Sequence, residues 1–253
     1  LADRMSQIPF AGIRRMFDKA ARLEAKGVRV IHFEIGRPDF DTPQHIKTAA
    51  VEALDKGMVH YTPNTGIPAL RKAFADSIRA YKGVEYDPDA ELMVTAGGQE
   101  SMSLTLQACL NPGDEVLVPD PGYTQFSSSV QLVGAVPVPL PLREDNNFSP
   151  DLAAVEKRIT GRTRAIIINS PQNPTGAVIE PEQMKTICRF ADTHGLMVFS
   201  DEAYDRIVFE DSTFISPAAV AGMKEKTAVW GSLSKTYSMT GWRIGYLAGP
   251  AEL

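Results

Sequence analysis

Ala165-Ile166-Ile167-Ile168-Asn169-Ser170-Pro171-Gln172-Asn173-Pro174-Thr175-Gly176 sets a short apolar run directly against a polar, turn-forming stretch. A run apolar at every position and bounded by turn signals reads as a strand buried on both faces, the pattern of parallel sheets whose two sides are covered. The Asn, Pro and Gly that follow each favour a turn. Outward from this segment the texture repeats. Leu92 to Thr95, Glu115 to Pro119, Leu196 to Ser200 and Ala228 to Ser232 are further apolar runs, and Trp242 to Ala248 predicts one more strand. Helical patterns fill the gaps, at about Gln99 to Leu110, Tyr123 to Val133, Pro150 to Thr160 and Pro181 to His194. Alternation of this kind predicts an α/β fold with a mostly parallel sheet covered by helices.

Before Asp89 the chain is helical. Ile13, Met16, Phe17, Ala20 and Leu23 recur at helical spacing and Gly27 supplies the stop. A second helix is expected to begin at Asp41-Thr42-Pro43, a capping residue followed by Pro, and to end at Gly57. A third runs from Pro68 through Leu70, Phe74, Ile78 and Tyr81 to Gly83. Their apolar faces read as core packing without a chemical role.

Composition narrows the classes. With 43% apolar and 23% charged residues, the 253-residue chain can build a large core, so disorder is excluded. A net charge of -5 offers no broad cationic face for nucleic acid. Four scattered histidines, His32, His45, His60 and His194, form no ligand pattern, so no metal is expected. Cys109 and Cys188 sit among apolar residues of expected helices and read as reduced core residues. The most apolar stretch, Val130 to Leu142, is broken by Pro137, Pro139 and Pro141, so no membrane span is expected and the cytoplasm is the default location.

In open α/β sheets, ligands collect outside the carboxyl ends of the strands, so the residues there are weighed one by one. Gly97-Gly98-Gln99 opens a helix after a strand, which suits phosphate binding by helix-start amides, but a tight turn needs no ligand. Tyr123 alone reads equally as a core aromatic, and Asn173-Pro174-Thr175-Gly176 alone as a turn. Asp201 ends a buried run, where an unpaired charge is costly, so it needs a structural cation, a ligand cation or a capping role. Ser232-Leu233-Ser234-Lys235-Thr236-Tyr237-Ser238-Met239-Thr240-Gly241-Trp242-Arg243-Ile244-Gly245-Tyr246 gathers hydroxyls, a lysine and an arginine immediately after a buried strand. Lysine is rarely buried without a partner.

This last stretch resembles the cofactor-lysine motif of the class I and II aminotransferases, the aspartate aminotransferase-like fold type I enzymes that use pyridoxal 5'-phosphate. Ile35-Gly36-Arg37-Pro38-Asp39-Phe40 resembles the family's N-terminal glycine motif, Tyr61-Thr62-Pro63-Asn64-Thr65-Gly66 its segment that reaches a partner subunit, and Asn169 to Gly176 its Asn-Pro-Thr-Gly loop. The resemblance runs in order from about Gly12 to Leu253. It implies a three-layer α/β/α sandwich with a mostly parallel mixed sheet, the large domain of these transferases. Residues 1–40 would form an N-terminal helix and arm on the small-domain side and residues 41–253 the cofactor-binding large domain, with the C-terminal small domain absent from this chain. The family grips the substrate carboxylate with an arginine of that small domain, and no arginine here matches it.

The resemblance also implies roles. Lys235 would carry the cofactor as a Schiff base and later move the Cα proton, and Asp201 would keep the pyridine nitrogen protonated. Asn173 and Tyr204 would donate to the ring's phenolate oxygen, and Tyr123 would stack on the ring. Arg243, Ser232, Ser234 and the Gly97, Gly98 and Gln99 region would hold the phosphate. Tyr61 would reach the neighbouring subunit's cofactor, so a homodimer is expected, and Gly36 and Asn173 would face the substrate. The implied reaction moves an amino group between an α-amino acid and a 2-oxo acid. A C-S lyase, a cyclopropane-carboxylate synthase-like enzyme and a pyridoxal-phosphate-binding regulatory domain share the same constellation.

Overall fold

The computed structural model describes residues 2–6, 8, 12–33, 36–209 and 211–253; the side chain of Ile13 and the whole of Ile35, both named above, lie outside the described residues. In chain order the elements are α1 (Gly12–Glu24), α2 (Gln44–Asp55), α3 (Pro68–Lys82), β1 (Leu92–Thr95), α4 (Gly98–Cys109), β2 (Glu115–Asp120), α5 (Gln125–Leu132) and β3 (Val136–Arg143). They continue as β4 (Ser149–Pro150), α6 (Leu152–Glu156), β5 (Thr163–Asn169), α7 (Pro181–Thr193), β6 (Met197–Asp201), β7 (Thr227–Ser232) and β8 (Gly245–Ala248). Pro68 and Pro181 occupy the first turns of α3 and α7, where a missing N–H costs nothing.

The strands form one sheet in the order β1-β8-β7-β6-β5-β2-β3-β4. From β7 through β3 all neighbours are parallel, while β8 lies antiparallel between β1 and β7 and β4 is antiparallel to β3. Successive residues of β5 point to opposite faces. Ala165 and Ile167 join Met102 and Leu106 of α4, Phe126 and Val130 of α5, and Trp230. Ile166 and Ile168 join Met184, Ile187, Cys188 and Ala191 of α7. Two covered faces make the sandwich three-layered. Each fully buried Ile, such as Ile166 and Ile167, contributes about 1.5–3 kcal/mol relative to exposure. A third cluster packs Phe74, Ala75 and Ile78 of α3 onto Val229 of β7 and Tyr246 of β8.

Several sequence expectations are corrected. The proline-broken stretch contains β3, whose Pro137, Pro139 and Pro141 alternate so that the strand still pairs with β2. Helix α6 stops at Glu156 rather than reaching Thr160, and Asp151 caps it by accepting from the Ala154 amide at 2.9 Å. Neither Asp41 nor Thr42 caps α2. Pro43 holds that place, and the Thr42 hydroxyl donates instead to the Ser238 carbonyl. The apolar face of α2 is not core: none of its residues is buried, and Val51 and Leu54 are exposed. Thr240–Trp242 forms a 3₁₀ turn, so the last strand starts at Gly245 rather than Trp242. Cys188 is buried but Cys109 only half-buried.

Candidate active site

The carboxyl ends of β5, β6 and β7 and the start of α4 converge on a cavity of about 340 Å³. Gly36, Gly98, Gln99, Tyr123, Asn173, Asp201, Tyr204, Ser232, Ser234, Lys235 and Arg243 line it, together with Arg37. Segments spread from residue 36 to residue 243 are thus brought together by parallel strands that all end at the same rim. Two expected residues stand apart from the lining. Gly97 lies just behind it, and Tyr61 is fully exposed elsewhere.

Asp201 is the last residue of β6, opposite Asn169 in the β5 register. Burial pushes its carboxyl up to about 6; the Ala203 amide, which it accepts at 3.1 Å, pulls it down and Glu202 pushes it further up. Among the described residues no cation pairs with it. The Ala203 contact satisfies the capping expectation in part but supplies no charge.

Lys235 stands across the same cavity. Burial lowers its pKa from the ordinary lysine value; its amine donates to the Gly36 carbonyl and lies over the Tyr204 ring at 5.7 Å, again without a carboxylate partner among the described residues. The Tyr204 hydroxyl is pushed up by burial and then by Asp201 and Tyr123, while a hydrogen bond with Asn173 opposes them. Tyr123 is raised by burial and Asp201, opposed by Arg243, and its ring is fixed edge-on to Phe126 with centroids 5.4 Å apart.

At the other end of the cavity Arg243 adopts a left-handed backbone (φ 55), uncommon for a side-chain-bearing residue. Its guanidinium donates to the Thr240 and Ala96 carbonyls at 3.0 and 3.1 Å and meets no carboxylate among the described residues. Gly97, the cap of α4, has φ 86, and a Cβ there would collide with that guanidinium. Gly245 is equally constrained, since a Cβ would press on the Gly98 nitrogen at 2.7 Å. The result is a cup of helix-start amides and one guanidinium, a geometry suited to an anion. Ser232 at the end of β7 accepts from the Ser234 amide at 3.1 Å, which folds the Ser232–Lys235 turn toward this cup.

Sequence reasoning missed what holds the loops. Asn169 is buried, donates to the Asp201 carbonyl at 3.1 Å and to the Pro171 carbonyl at 3.3 Å, and accepts the Asn173 amide at 2.7 Å. Buried Gln172 accepts from the Thr175 amide at 2.8 Å and hydroxyl at 2.6 Å, and donates to the Pro121 carbonyl at 2.9 Å. A polar amide ending a buried apolar run was the available signal for Asn169. A second, open hollow of about 1030 Å³ adjoins through Gly36, Tyr123, Asn173, Tyr204 and Lys235, and is walled by Phe17, Phe33, Ile207 and Phe209.

The family model for aminotransferase class I and II matches residues 28–253. An aspartate aminotransferase of Pyrococcus abyssi is 42% identical over 99% of this chain and 64% of its own length. A probable aspartate/prephenate aminotransferase of Aquifex aeolicus is 44% identical over the whole chain and 64% of its own length. The solved structure of Thermus thermophilus aspartate aminotransferase with maleate superposes with a TM-score of 0.94 at 38% identity, covering 100% of this chain and 65% of that one. The chain therefore spans about 64% of the length of the curated relatives it matches.

Proposed function

The chain belongs to the aminotransferase class I and II family, whose members use pyridoxal phosphate, and from that premise we propose that it binds this cofactor and moves an amino group between an α-amino acid and a 2-oxo acid. The observation that carries the proposal is that the Asp201 carboxylate and the Lys235 amine line one cavity, neither with an ionic partner among the described residues, together with Arg243 and the start of α4. A part-buried carboxylate without a cation fits a cationic ring nitrogen, an amine without a carboxylate fits an aldehyde, and the cup fits a phosphate. Bound there, pyridoxal phosphate supplies an electron-accepting ring and an aldehyde for the substrate amine.

The chain's own residues do the rest. Asp201 holds a proton on the ring nitrogen. Lys235, whose lowered pKa makes the neutral amine easier to reach, would take the proton from the substrate Cα and deliver it to the carbon that was the cofactor's aldehyde, which leaves the nitrogen on the cofactor and releases the 2-oxo acid after water adds. Asn173 and Tyr204 would hold the ring's phenolic oxygen by donating to it, and Tyr123 would bound the ring. Arg243, Ser232, Ser234 and the Gly97, Gly98 and Gln99 amides hold the phosphate. Gly36 and Asn173 border the substrate side. Tyr61 completes the site of a second copy, in a cytoplasmic homodimer; its full exposure, together with the uncovered face of α2 just before it in the chain, supports that reading. Residues 1–40 form the N-terminal helix and arm, and residues 41–253 the cofactor-binding domain.

The test uses a ¹⁵N-labelled amino acid mixed with an unlabelled 2-oxo acid and the cofactor-loaded protein. Appearance of ¹⁵N in the amino acid derived from that 2-oxo acid is expected. Release of ammonia and pyruvate without transfer would replace this reading by elimination.

A further inference from the structure

Lys82, the last residue of α3, has a side chain only 3% exposed. Its ammonium lies 2.5 Å from Glu202, 2.7 Å from Asp205 and 3.0 Å from the Tyr246 hydroxyl. Burial works against the charge, but the neighbouring acids outweigh it and hold the amine protonated. Glu202 is fully buried and its other oxygen accepts from Ser200 at 2.9 Å and Ser216 at 2.6 Å. Glu202 follows Asp201 and Asp205 follows Tyr204 in the chain, so one ammonium grips both flanks of the two cavity residues. The same helix takes a second hold, since Arg206 donates to Ser77 at 3.0 Å and stacks on Tyr81 at 3.1 Å.

We infer that Lys82 is a positioning residue: through Glu202 and Asp205 it fixes how the Asp201 carboxylate and the Tyr204 hydroxyl face the cavity, and it screens Asp201 from the Glu202 charge. The inference rests on the proposed function for its consequence in turnover, but not for the coupling itself. The titratable and charged groups around Asp201 are Glu202 and Tyr204 on its own segment, Tyr123 from the segment after β2, and Lys235 and Arg243 from the segment between β7 and β8. Of these, Lys82 touches Glu202 alone.

The experiment uses the full-length protein containing this chain, labelled with ¹³C at aspartate carboxyls and freed of cofactor, with the Asp201 signal assigned by its loss in Asp201→Asn. Lys82→Met should raise the Asp201 midpoint from about 6 by about one unit, because Glu202 is left unscreened. Glu202→Gln should lower it, and because Lys82 stays paired with Asp205 this variant tests the Glu202 link on which the inference depends even if Lys82→Met does not fold. With cofactor and an amino acid, Lys82→Met should lose about tenfold or more in kcat with KM nearly unchanged, as misorientation predicts. An unmoved Asp201 midpoint in folded Glu202→Gln would overturn the inference. Midpoints that move as stated in a protein that never transfers ¹⁵N would leave the clamp standing and overturn the proposed function instead.

Discussion

Replacing Asp201 by Asn should stabilise the cofactor-free protein at neutral pH, although it should disable the site. Burial lifts the carboxyl from 3.8 to about 6, which corresponds to about 3 kcal/mol against the ionised form. Below about pH 4 both folded and unfolded chains carry the proton and the residue contributes nothing. As pH rises toward 6 only the unfolded chain ionises, so stability falls; above 6 both are ionised and the full penalty remains. The asparagine side chain keeps the oxygen that accepts from Ala203 and carries no charge, so its advantage should grow from near zero at about pH 4 to about 3 kcal/mol at about pH 7. Urea unfolding of both cofactor-free proteins across this range measures it. With pyridoxal phosphate added the order should reverse, since only the carboxylate pairs with a ring cation. If Asp201→Asn instead destabilised the empty protein at neutral pH, Asp201 would already own a cationic partner within the protein, and the argument for a ligand cation would be wrong.

Borohydride reduction of the loaded protein followed by peptide mapping should label Lys235; Lys224 and Lys226 are engaged with Glu91 and Asp192, and a label on either would sink the assignment. Arg243→Ala should weaken cofactor binding by about 1.5–3 kcal/mol, the worth of a charged hydrogen bond, measured by equilibrium dialysis; unchanged affinity would place the phosphate elsewhere. Asn169→Ala, which orphans the Asn173 amide, should cost about 1–3 kcal/mol of stability and lower kcat, and a variant with wild-type melting and turnover would contradict the positioning argument. Ile167→Ala, at the centre of the sheet, should cost about 2–5 kcal/mol in the same unfolding assay.

The sheet was legible because its strands are continuous apolar runs, which only two covered faces demand; Leu92–Thr95 could be delimited to the residue. Which loops border the cavity was legible because most of them follow those runs, and position after a strand is a local property; the roles within it came from the family resemblance, since Tyr123 and Asn173-Pro174-Thr175-Gly176 taken singly read equally as core and turn. Strand β3 was not, since prolines at every second position mimic a breaker and only its pairing with β2 shows that their missing N–H groups are tolerated. Helix α2 misled for the opposite reason: its apolar spacing is real, but periodicity cannot say whether the face meets the chain's own core. Lys82 was invisible because its partners lie over a hundred residues away, at Glu202, Asp205 and Tyr246.

The insertion of β8 between β1 and β7 has a bearing on how the protein is made. Arg243 enters just before β8 and Gly97 just after β1, so the two halves of the anion cup are separated by most of the sequence and meet only when that last strand slots in. Contacts of such high sequence separation form late, after the loop-closure entropy of everything between them has been overcome. A nascent chain that has emitted the Asn-Pro-Thr-Gly loop and Asp201 would therefore, on the proposed function, hold several of the groups proposed to meet the ring but not the assembled cup proposed for the phosphate. On the proposed function, tight uptake of the cofactor would wait for β8 to pair between β1 and β7, and uptake during synthesis would report that pairing rather than guide it.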